Sequence, residues 1–336
     1  MHTKTLSIAI AVLLASAVFG QETDRVFNFA GTDTAQDIQE VATLIKAIGD
    51  IQHITTDVAQ KSLAVSGTTA QVALAEWLFG ELEKPANRPP LAQQSPDPAT
   101  HEYRMQGSSE DVVRVFYPKR TATVQEFQEV AVLVRSIADI RRLFTYNEPR
   151  ALVMRGTADQ AALAEWLIAT LNAPQANGAS AKLEYKMPGS GDDVVRVFYL
   201  AHTGTVQNVQ EVATLVRSIG DIRRLFTYNA PKAIAMRGTS DQAALAEWLF
   251  GELDKLVKDS AAHEYRMLGT AEDVVRVFYL PHSGTVQHFQ EIATFVRSTT
   301  QIRRAFTYNA PRALTLRGTA DQIAQANQLI QERDKP

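Results

Sequence analysis

The stretch that decides the fold lies near the end of the chain and reads Arg303-Arg304-Ala305-Phe306-Thr307-Tyr308-Asn309-Ala310-Pro311-Arg312-Ala313-Leu314-Thr315-Leu316-Arg317-Gly318-Thr319-Ala320-Asp321-Gln322. Its two halves carry the β-branched and aromatic residues that favour strands. They flank an Asn-x-Pro-basic turn, in which proline fixes φ and asparagine favours the turn. The second half stops at a Gly-Thr pair, and a threonine followed three residues later by glutamine is typical of a capping box that begins a helix. The stretch therefore predicts a β-hairpin followed at once by a helix.

This pattern recurs along the chain. Copies occupy residues 223–242 and 141–160, and a degenerate copy occupies residues 52–71. Self-similarity at a nearly fixed spacing indicates tandem structural repeats. The sequence therefore predicts four related modules.

Each copy is preceded by a strand-like run and an amphipathic helix. In the second copy, residues 112–117 have the composition of a strand, and residues 123–138 carry apolar side chains at helical spacing. With the hairpin and the last helix, the order is strand–helix–strand–strand–helix. We predict an α+β fold of four tandem βαββα modules, each a small mixed sheet with two helices on one face.

The last helix of each module has an apolar face. In the second module this face holds Leu163, Trp166, Leu167 and Leu171. Burying a side chain of this size contributes roughly 1.5–3 kcal/mol, so we predict that the tryptophan belongs to the core rather than to a ligand site. The fourth module carries Gln328 at this position, which is typical of a terminal capping unit.

The N-terminus has the pattern of an export signal. Lys4 precedes an apolar run over residues 6–19, and small residues stand at Val18 and Gly20. These features are typical of a secretory signal peptide, and the run is shorter than the about 20 residues that span a bilayer as a helix. We expect cleavage near Gly20 and a periplasmic mature protein. An uncleaved N-terminal anchor is the alternative.

Composition marks the boundaries between the modules. Residues 86–100 contain four prolines, and residues 175–182 are rich in alanine, glycine and asparagine. We predict a signal peptide over residues 1–20, modules over residues 21–85, 101–174, 183–255 and 263–336, a proline-rich linker over residues 86–100, and further linkers over residues 175–182 and 256–262.

The composition also excludes several functional classes. The chain of 336 residues has no cysteine, which rules out disulfides, thiol catalysis and cysteine-ligated metals. Its net charge of -3 gives no general attraction to nucleic acid. No histidine pair stands at the spacing of a zinc site, and no glycine-rich phosphate loop joins a strand to a helix. We predict no catalytic residue, no metal and no cofactor.

Paired carboxylates precede the first strand of three modules, as Glu110/Asp111, Asp192/Asp193 and Glu272/Asp273. Adjacent residues of a strand point to opposite faces of the sheet, which is a poor arrangement for a shared acid–base site. We interpret these pairs as charges at a turn or a strand end.

The sheet face that points away from the helices is the candidate functional site. In the first module, alternation places apolar residues on the helix side, namely Phe27, Phe29, Ile54, Val58, Leu63 and Val65. The opposite face is polar there, but the same register in the other modules puts tyrosine, phenylalanine and arginine on it, residue types that are enriched in interfaces. The candidate interface residues are Tyr117, Arg142, Phe144, Tyr146, Arg155, Tyr199, Arg224, Phe226, Tyr228, Arg237, Tyr279, Arg304, Phe306, Tyr308 and Arg317.

Two explanations of this face stay open. It docks a neighbouring subunit, a neighbouring repeat or a partner protein, or it is covered by an extra segment of its own chain. Such a segment stands at residues 101–105, 183–187 and 263–267, where it would form an additional strand or a flap.

Residues 277–280, the helix that follows them, residues 307–319 and Leu329-Ile330 carry a family resemblance. They resemble the N-terminal periplasmic domains of the secretin family, the outer-membrane pores of type II and type III secretion and of type IV pili. The resemblance covers residues 24–336 as four copies, and the family's C-terminal barrel-forming domain has no counterpart before Pro336. The resemblance therefore implies the ring-forming, partner-docking part of the architecture without the pore.

The resemblance and the export signal together give an expected function. We expect a non-enzymatic periplasmic scaffold or docking protein associated with a secretion or type IV pilus machine of the cell envelope. Its expected partners are envelope proteins and further copies of itself in rings, with no nucleic acid and with membrane contact only through partners. The alternative is a soluble periplasmic binding protein that captures a peptide, a glycan or peptidoglycan on the Tyr/Arg sheet faces.

Overall fold

The computed structural model describes residues 22–31, 34–83, 102–105, 112–173, 183–255, 263–267, 272 and 274–335. The predicted signal peptide, the three predicted linkers and the carboxylates Glu110, Asp111 and Asp273 lie outside these residues. The chain divides into two compact units, residues 1–83 and 84–336, each of which is described by itself. Within the described ranges, no helix is both long and apolar enough to cross a membrane.

The first unit contains module 1. Its elements are β1 Glu22–Asn28, α1 Ala35–Gly49, β2 His53–Asp57, β3 Ser62–Thr68 and α2 Thr69–Glu83. The strands pair antiparallel in the order β1-β3-β2. Phe27 of β1 stacks on Phe79 of α2 with ring centroids 5.0 Å apart, so the apolar residues of β1 face α2.

The second unit contains modules 2, 3 and 4. Module 2 consists of β4 Glu102–Arg104, β5 Val112–Phe116, α3 Val124–Ile137, β6 Arg142–Tyr146, β7 Ala151–Gly156 and α4 Ala158–Asn172. Module 3 consists of β8 Leu183–Lys186, β9 Asp193–Tyr199, α5 Val206–Ile219, β10 Arg224–Tyr228, β11 Ala233–Thr239 and α6 Ser240–Leu253. Module 4 consists of β12 His263–Arg266, β13 Val274–Tyr279, α7 Val286–Thr300, β14 Arg304–Tyr308, β15 Ala313–Gly318 and α8 Ala320–Arg333.

Each sheet of the second unit has four antiparallel strands, in the orders β4-β5-β7-β6, β8-β9-β11-β10 and β12-β13-β15-β14. The predicted α+β fold of four tandem βαββα modules is confirmed, but the predicted mixed pairing is wrong. The second strand of the hairpin enters the sheet between its hairpin partner and the strand that precedes the first helix. It runs antiparallel to both, so the two strands joined by the helical crossover are never adjacent.

The extra segment of modules 2 to 4 forms an edge strand. β4, β8 and β12 pair antiparallel with β5, β9 and β13. Each therefore widens its sheet instead of folding over the outer face as a flap. In module 3, Leu183 and Tyr185 stand opposite Val197 and Val195, and directly opposed residues share one face of a sheet.

The Gly-Thr-x-x-Gln pattern joins the two helices of a module. In module 3, the side chains of Thr239 and Gln242 accept hydrogen bonds from each other's backbone amides at the start of α6. Gln242 Nε2 also donates to the carbonyl oxygens of Gly220 and Asp221, at 3.1 and 2.9 Å, where α5 ends. A Cβ on Gly238 would lie 2.5 Å from Gln242 Oε1, so a larger residue would displace this glutamine. The motif thus sets where the second helix begins relative to the end of the first.

The hairpin turn is tied to the loop before the first helix. In module 3, Lys232 has a φ of 53°, in the left-handed region that favours glycine, and its amide donates to Asn229 O at 3.0 Å. Lys232 Nζ donates to the carbonyl of Thr203 at 2.5 Å. Arg150 and Arg312 adopt the same backbone conformation and also donate to a carbonyl of that loop. A basic residue therefore serves here because its side chain gains a partner that glycine would lack.

The strand register predicted for module 1 is confirmed. Phe27, Leu63 and Val65 are buried, and α2 lies against both β1 and β3. The prediction for Val58 is wrong, because β2 ends at Asp57 and Val58 lies exposed in the hairpin turn.

Candidate functional site: the junctions between modules 2, 3 and 4

The sheet of module 3 packs with its outer face against the helices of module 2. The outer sheet face of module 3 includes Val195, Val197, Tyr228, Ala233 and Ala235, which are at most 4% exposed and share one buried cluster with α3 and α4. α3 lies against β10 and β11, and α4 lies against β8. The outer sheet face is therefore covered by the preceding module.

Module 4 docks on module 3 in the same way. Its outer sheet face includes Val275, Val277, Tyr279, Tyr308 and Ala313, which are at most 9% exposed and share one buried cluster with α5 and α6. α5 lies against β14 and β15, and α6 lies against β12. Modules 2 to 4 thus form a directional stack, in which the sheet of the later module covers the helices of the earlier one. We call these helix surfaces the receiving helix faces.

A glutamate on each receiving helix face binds the asparagine of the next hairpin turn. Asn229 N and Nδ2 donate to Glu129 Oε2 and Oε1, both at 2.9 Å. Asn229 Oδ1 in turn accepts from Gln210 Nε2 of its own module at 2.8 Å. At the next junction, Asn309 N donates to Glu211 Oε2 at 3.2 Å. The asparagine that the sequence identifies as a turn residue is therefore also a docking residue.

Two arginines of module 3 bind the C-terminal end of α3. An amino nitrogen of Arg224 lies 2.9 Å from Asp139 Oδ2, just beyond the helix. Arg237 donates to the carbonyl of Ile137, the last residue of α3, at 3.4 Å. Cations are stabilised at this end of a helix because its unpaired carbonyls carry negative partial charge.

The equivalent arginines of module 4 bind the end of α5. Arg304 forms an ion pair with Asp221, and Arg317 donates to the carbonyl of Ile219 at 2.8 Å. Arg317 is buried. This burial, together with the charge of Arg304, lowers the pKa of its guanidinium, although an arginine stays charged at any ordinary pH.

Tyrosine hydroxyls bind the end of the second helix in the preceding module. Tyr199 Oη donates to the carbonyl of Thr170 at 3.0 Å, and Tyr279 Oη donates to the carbonyl of Glu252 at 2.8 Å. Burial raises the pKa of both tyrosines. The hydroxyls therefore stay protonated and donate at neutral pH.

A further tyrosine, Tyr228, lies at the centre of the junction between modules 2 and 3. Its Oη donates to the carbonyl of Arg120 at 2.9 Å. Burial, followed by the charges of Glu126 and Glu129, raises the pKa of Tyr228 to about 12. An outer-face aromatic thus supplies both apolar area and a directed hydrogen bond.

Trp166 and Trp248 lie at the two junctions of the second unit. The ring centroids of Trp166 and Tyr185 are 5.5 Å apart, as are those of Trp248 and Tyr265. Each tryptophan is half-buried and packs against the core cluster of its module. The predicted core position is therefore only partly right, because the edge strand of the next module covers part of each ring.

The remaining predicted interface residues are placed as follows. Phe226 and Phe306 are half-buried and pack against the cluster of the preceding module, not beneath their own helices. In module 2, Tyr146 is fully buried. The other predicted interface residues of this module are half-buried, namely Tyr117, Arg142, Phe144 and Arg155.

Sequence reasoning missed the acidic acceptors of the receiving helix faces. These are Glu129 and Glu211 on the first helices, and Asp139 and Asp221 just after them. A signal for them existed, since the glutamate recurs at the same position in all four modules and the aspartate in the first three. This signal was overlooked because a carboxylate on a helix surface is normally exposed to solvent.

The carboxylates before the first strands orient arginines of the outer sheet faces. Asp193 Oδ2 lies 3.5 Å from Arg237 Nε, and Glu272 Oε2 lies 3.6 Å from an amino nitrogen of Arg304. In the part of the chain that the structure describes, no group of three or more His, Asp or Glu side chains could hold a metal ion. These carboxylates therefore hold the guanidinium groups of the arginines in place.

Comparisons with known proteins give a likeness in structure alone. No family model and no curated protein matches this chain. It is similar to the crystal structure of the N-terminal domain of the secretin XcpQ from Pseudomonas aeruginosa, with 19% identity and a TM-score of 0.18 over 42% of this chain and 62% of that one. This chain therefore spans 62% of the length of that XcpQ domain.

Two further solved structures show the same likeness. The structure of XcpQN012 is 17% identical with a TM-score of 0.23, over 70% of this chain and all of that one. Aeromonas hydrophila ExeD is 12% identical with a TM-score of 0.16, over 89% of this chain and 59% of that one. The chain is thus similar to the N-terminal domains of secretins, and at these TM-scores the similarity carries no argument about its role or partners.

Proposed function

We propose that this chain is a non-enzymatic periplasmic scaffold, built of secretin-N-like modules and associated with a secretion or type IV pilus machine of the cell envelope. The observation that supports the proposal is the docking of two successive outer sheet faces on receiving helix faces. A stack joined in this way holds modules 2 to 4 in fixed order and orientation. Fixed order and orientation are what a scaffold supplies to the proteins that bind it.

Burial of the Tyr/Arg faces disfavours the alternative of ligand capture. Tyr228 and Tyr308 are 2% and 4% exposed, beneath α3 and α5. A peptide or glycan would reach them only after the modules separate, which would leave Glu129 and Arg317 without their partners across the junctions. Separation would also expose the apolar side chains of both junction clusters to water, which costs free energy.

The sides of the stack are the surfaces left for partners. Because both junctions repeat the same contacts, equivalent residues recur at regular intervals along the stack. One column is formed by the exposed first residues of α3, α5 and α7, which are Val124, Val206 and Val286, 49%, 53% and 50% exposed. A second column is formed by the exposed arginines Arg141, Arg223 and Arg303. We infer that protein partners bind along these columns.

Export is the first part of the proposal to test. Cells producing the full chain are fractionated by osmotic shock, and the N-terminus of the released protein is sequenced. We expect a processed protein in the periplasmic fraction, beginning close to residue 21. Retention of the unprocessed chain in the cytoplasm would refute a periplasmic scaffold.

Crosslinking in cells tests where partners bind. A photoreactive phenylalanine analogue replaces Arg223 or Val206 on the sides of the stack, and the control replaces Tyr228, an aromatic residue that is buried at a junction. We expect the side positions to capture envelope proteins of a secretion or pilus machine, and the buried position to give crosslinks only within the chain. Capture of peptidoglycan fragments at every position, without any protein adduct, would instead favour the binding-protein alternative.

Self-association is tested by light scattering of the mature chain over a range of concentrations. Oligomers that grow with concentration would support assembly into rings. A constant monomer would leave the scaffold dependent on other envelope proteins.

A further inference from the structure

The two junctions share most of their contacts. Both contain an Asn–Glu contact, an Arg–Asp ion pair, a tyrosine that donates to a helix-end carbonyl and a Trp–Tyr ring pair. Specificity is a difference between the affinities for right and wrong partners. Contacts common to both junctions therefore cannot decide which sheet docks on which helices.

One difference between the junctions places a buried charge opposite the edge strand. Between modules 3 and 4, Glu252 of α6 is 7% exposed, and its Oε2 lies 3.1 Å from Nδ1 of His263 on β12. Glu252 Oε1 accepts from Lys255 Nζ at 2.6 Å. Between modules 2 and 3, the equivalent positions hold the buried Thr170 and the half-buried Leu183, and Leu183 packs against the cluster of module 2. One junction is thus polar and charged where the other is mainly apolar.

The residue types at these two positions change together along the sequence. Glutamate at the helical position precedes a module that begins with histidine, as in Glu252 and His263. Threonine at the helical position precedes leucine, as in Thr170 and Leu183. This linkage indicates that the helical residue is matched to the sheet it receives.

We propose that this pair of positions determines which outer sheet face each receiving helix face accepts. If the sheet of module 3 from a second copy docked on the helices of module 3, Leu183 would face Glu252. Glu252 would keep its ion pair with Lys255 but would lose the imidazole nitrogen that lies 3.1 Å from its Oε2, and a buried carboxylate oxygen left against an apolar side chain costs free energy. Glu252 therefore rejects the wrong sheet, which keeps copies of the chain from stacking on one another through modules whose other contacts are alike.

The reverse mismatch is milder. With His263 facing Thr170, the imidazole could bond to the threonine hydroxyl, which both donates and accepts. The glutamate is thus the discriminating residue of the pair, and the histidine is the residue it recognises.

A double-substitution cycle on the full chain tests the matching. We expect His263→Leu to lower the thermal midpoint by about 3–6 °C, since it leaves Glu252 Oε2 facing leucine. Adding Glu252→Thr, which recreates the threonine–leucine pair, restores most of this loss. The matched control Leu183→His at the other junction lowers the midpoint by less than about 2 °C. If His263→Leu does not fold at all, recovery of folding in the double variant gives the same result.

A second measurement separates recognition from simple stability. In Glu252→Thr/His263→Leu both junctions carry the same pair, so modules of different copies can exchange. We expect this variant to be about as stable as the natural chain, yet to give at least about threefold more oligomer after refolding from urea at high concentration. Equal loss from His263→Leu with and without Glu252→Thr, or equal oligomer yields after refolding, would overturn the proposal.

Discussion

The glutamate that binds the hairpin asparagine gives a graded prediction. Glu129 accepts two hydrogen bonds from Asn229 at 2.9 Å, and both are half-buried. Hydrogen bonds to a charged group contribute about 1.5–3 kcal/mol each when well formed. Partial solvent access reduces this, so we expect Glu129→Ala to lower the free energy of unfolding by about 2–3 kcal/mol.

The glutamates at the same helical position in modules 3 and 4 provide comparison variants. Glu211 accepts a single bond, from Asn309 N at 3.2 Å, so Glu211→Ala is expected to cost about 1 kcal/mol. Glu291 holds the same helical position in module 4 and is exposed, and its one hydrogen bond among the described residues is from Gln287 of its own helix at 3.1 Å. For Glu291→Ala we expect less than about 0.5 kcal/mol. Helix propensity changes by the same amount in all three variants, so it cancels from the comparison.

Urea unfolding followed by circular dichroism measures the three losses. Hydrogen exchange at the amides of Asn229 and Asn309 then shows which junction has opened, because each amide loses its acceptor only in the variant of its own junction. We expect the order Glu129, Glu211, Glu291 from largest loss to smallest. Equal losses at Glu129 and Glu291 would refute the assignment of docking energy to this carboxylate.

Three further predictions concern the outer sheet faces. The pKa of Tyr228 is about 12 in the fold against about 10 in an unfolded chain. Its neutral form therefore stabilises the junction below pH about 10, and this stabilisation is lost as the pH rises toward 12. Tyr228→Phe, followed by alkaline unfolding, should remove that part of the pH dependence, and an unchanged profile would contradict it. Thr315 is fully buried at the junction with module 3, and its hydroxyl lacks a hydrogen-bond partner among the described residues. Thr315→Val, the residue type that Val153 shows in module 2, should raise the thermal midpoint by about 2–4 °C, whereas a fall would indicate a partner for the hydroxyl. Phe226→Thr with Tyr228→Asp should separate module 3 from module 2 and leave the helical content nearly unchanged. Small-angle scattering would show a longer particle, and an unchanged particle would contradict docking through this face.

The module fold is predictable because its signals are local. The capping box of Thr239 and Gln242, the turn at Asn229 and the helical stripe before them each depend on a few neighbouring residues. The strand register follows from alternation, which identified Phe27 and Leu63 as core residues. The error in strand pairing arose because the order of strands across a sheet is a long-range property that turn and helix patterns do not report.

The covering of the outer sheet face could not be read from the same patterns. Its aromatic and arginine content indicates a buried interface, but burial alone does not say what lies on the other side. The surface that covers this face is identified by Glu129 and Asp139. In the sequence these have the pattern of ordinary surface residues, and only the structure shows that they bind Asn229 and Arg224 of the next module. The prediction that Val58 faces the helices was wrong for a simpler reason, because β2 ends one residue before it.

The helix surface of module 4 differs from the receiving helix faces of modules 2 and 3. Module 4 carries the exposed polar residues Thr299, Gln325 and Gln328 where module 3 carries isoleucine, leucine and tryptophan. Phe295, the large apolar residue that remains, lies under the guanidinium of Arg333, 3.5 Å from its ring centroid. This solvated surface therefore lacks the apolar area on which the outer sheet faces of modules 3 and 4 dock.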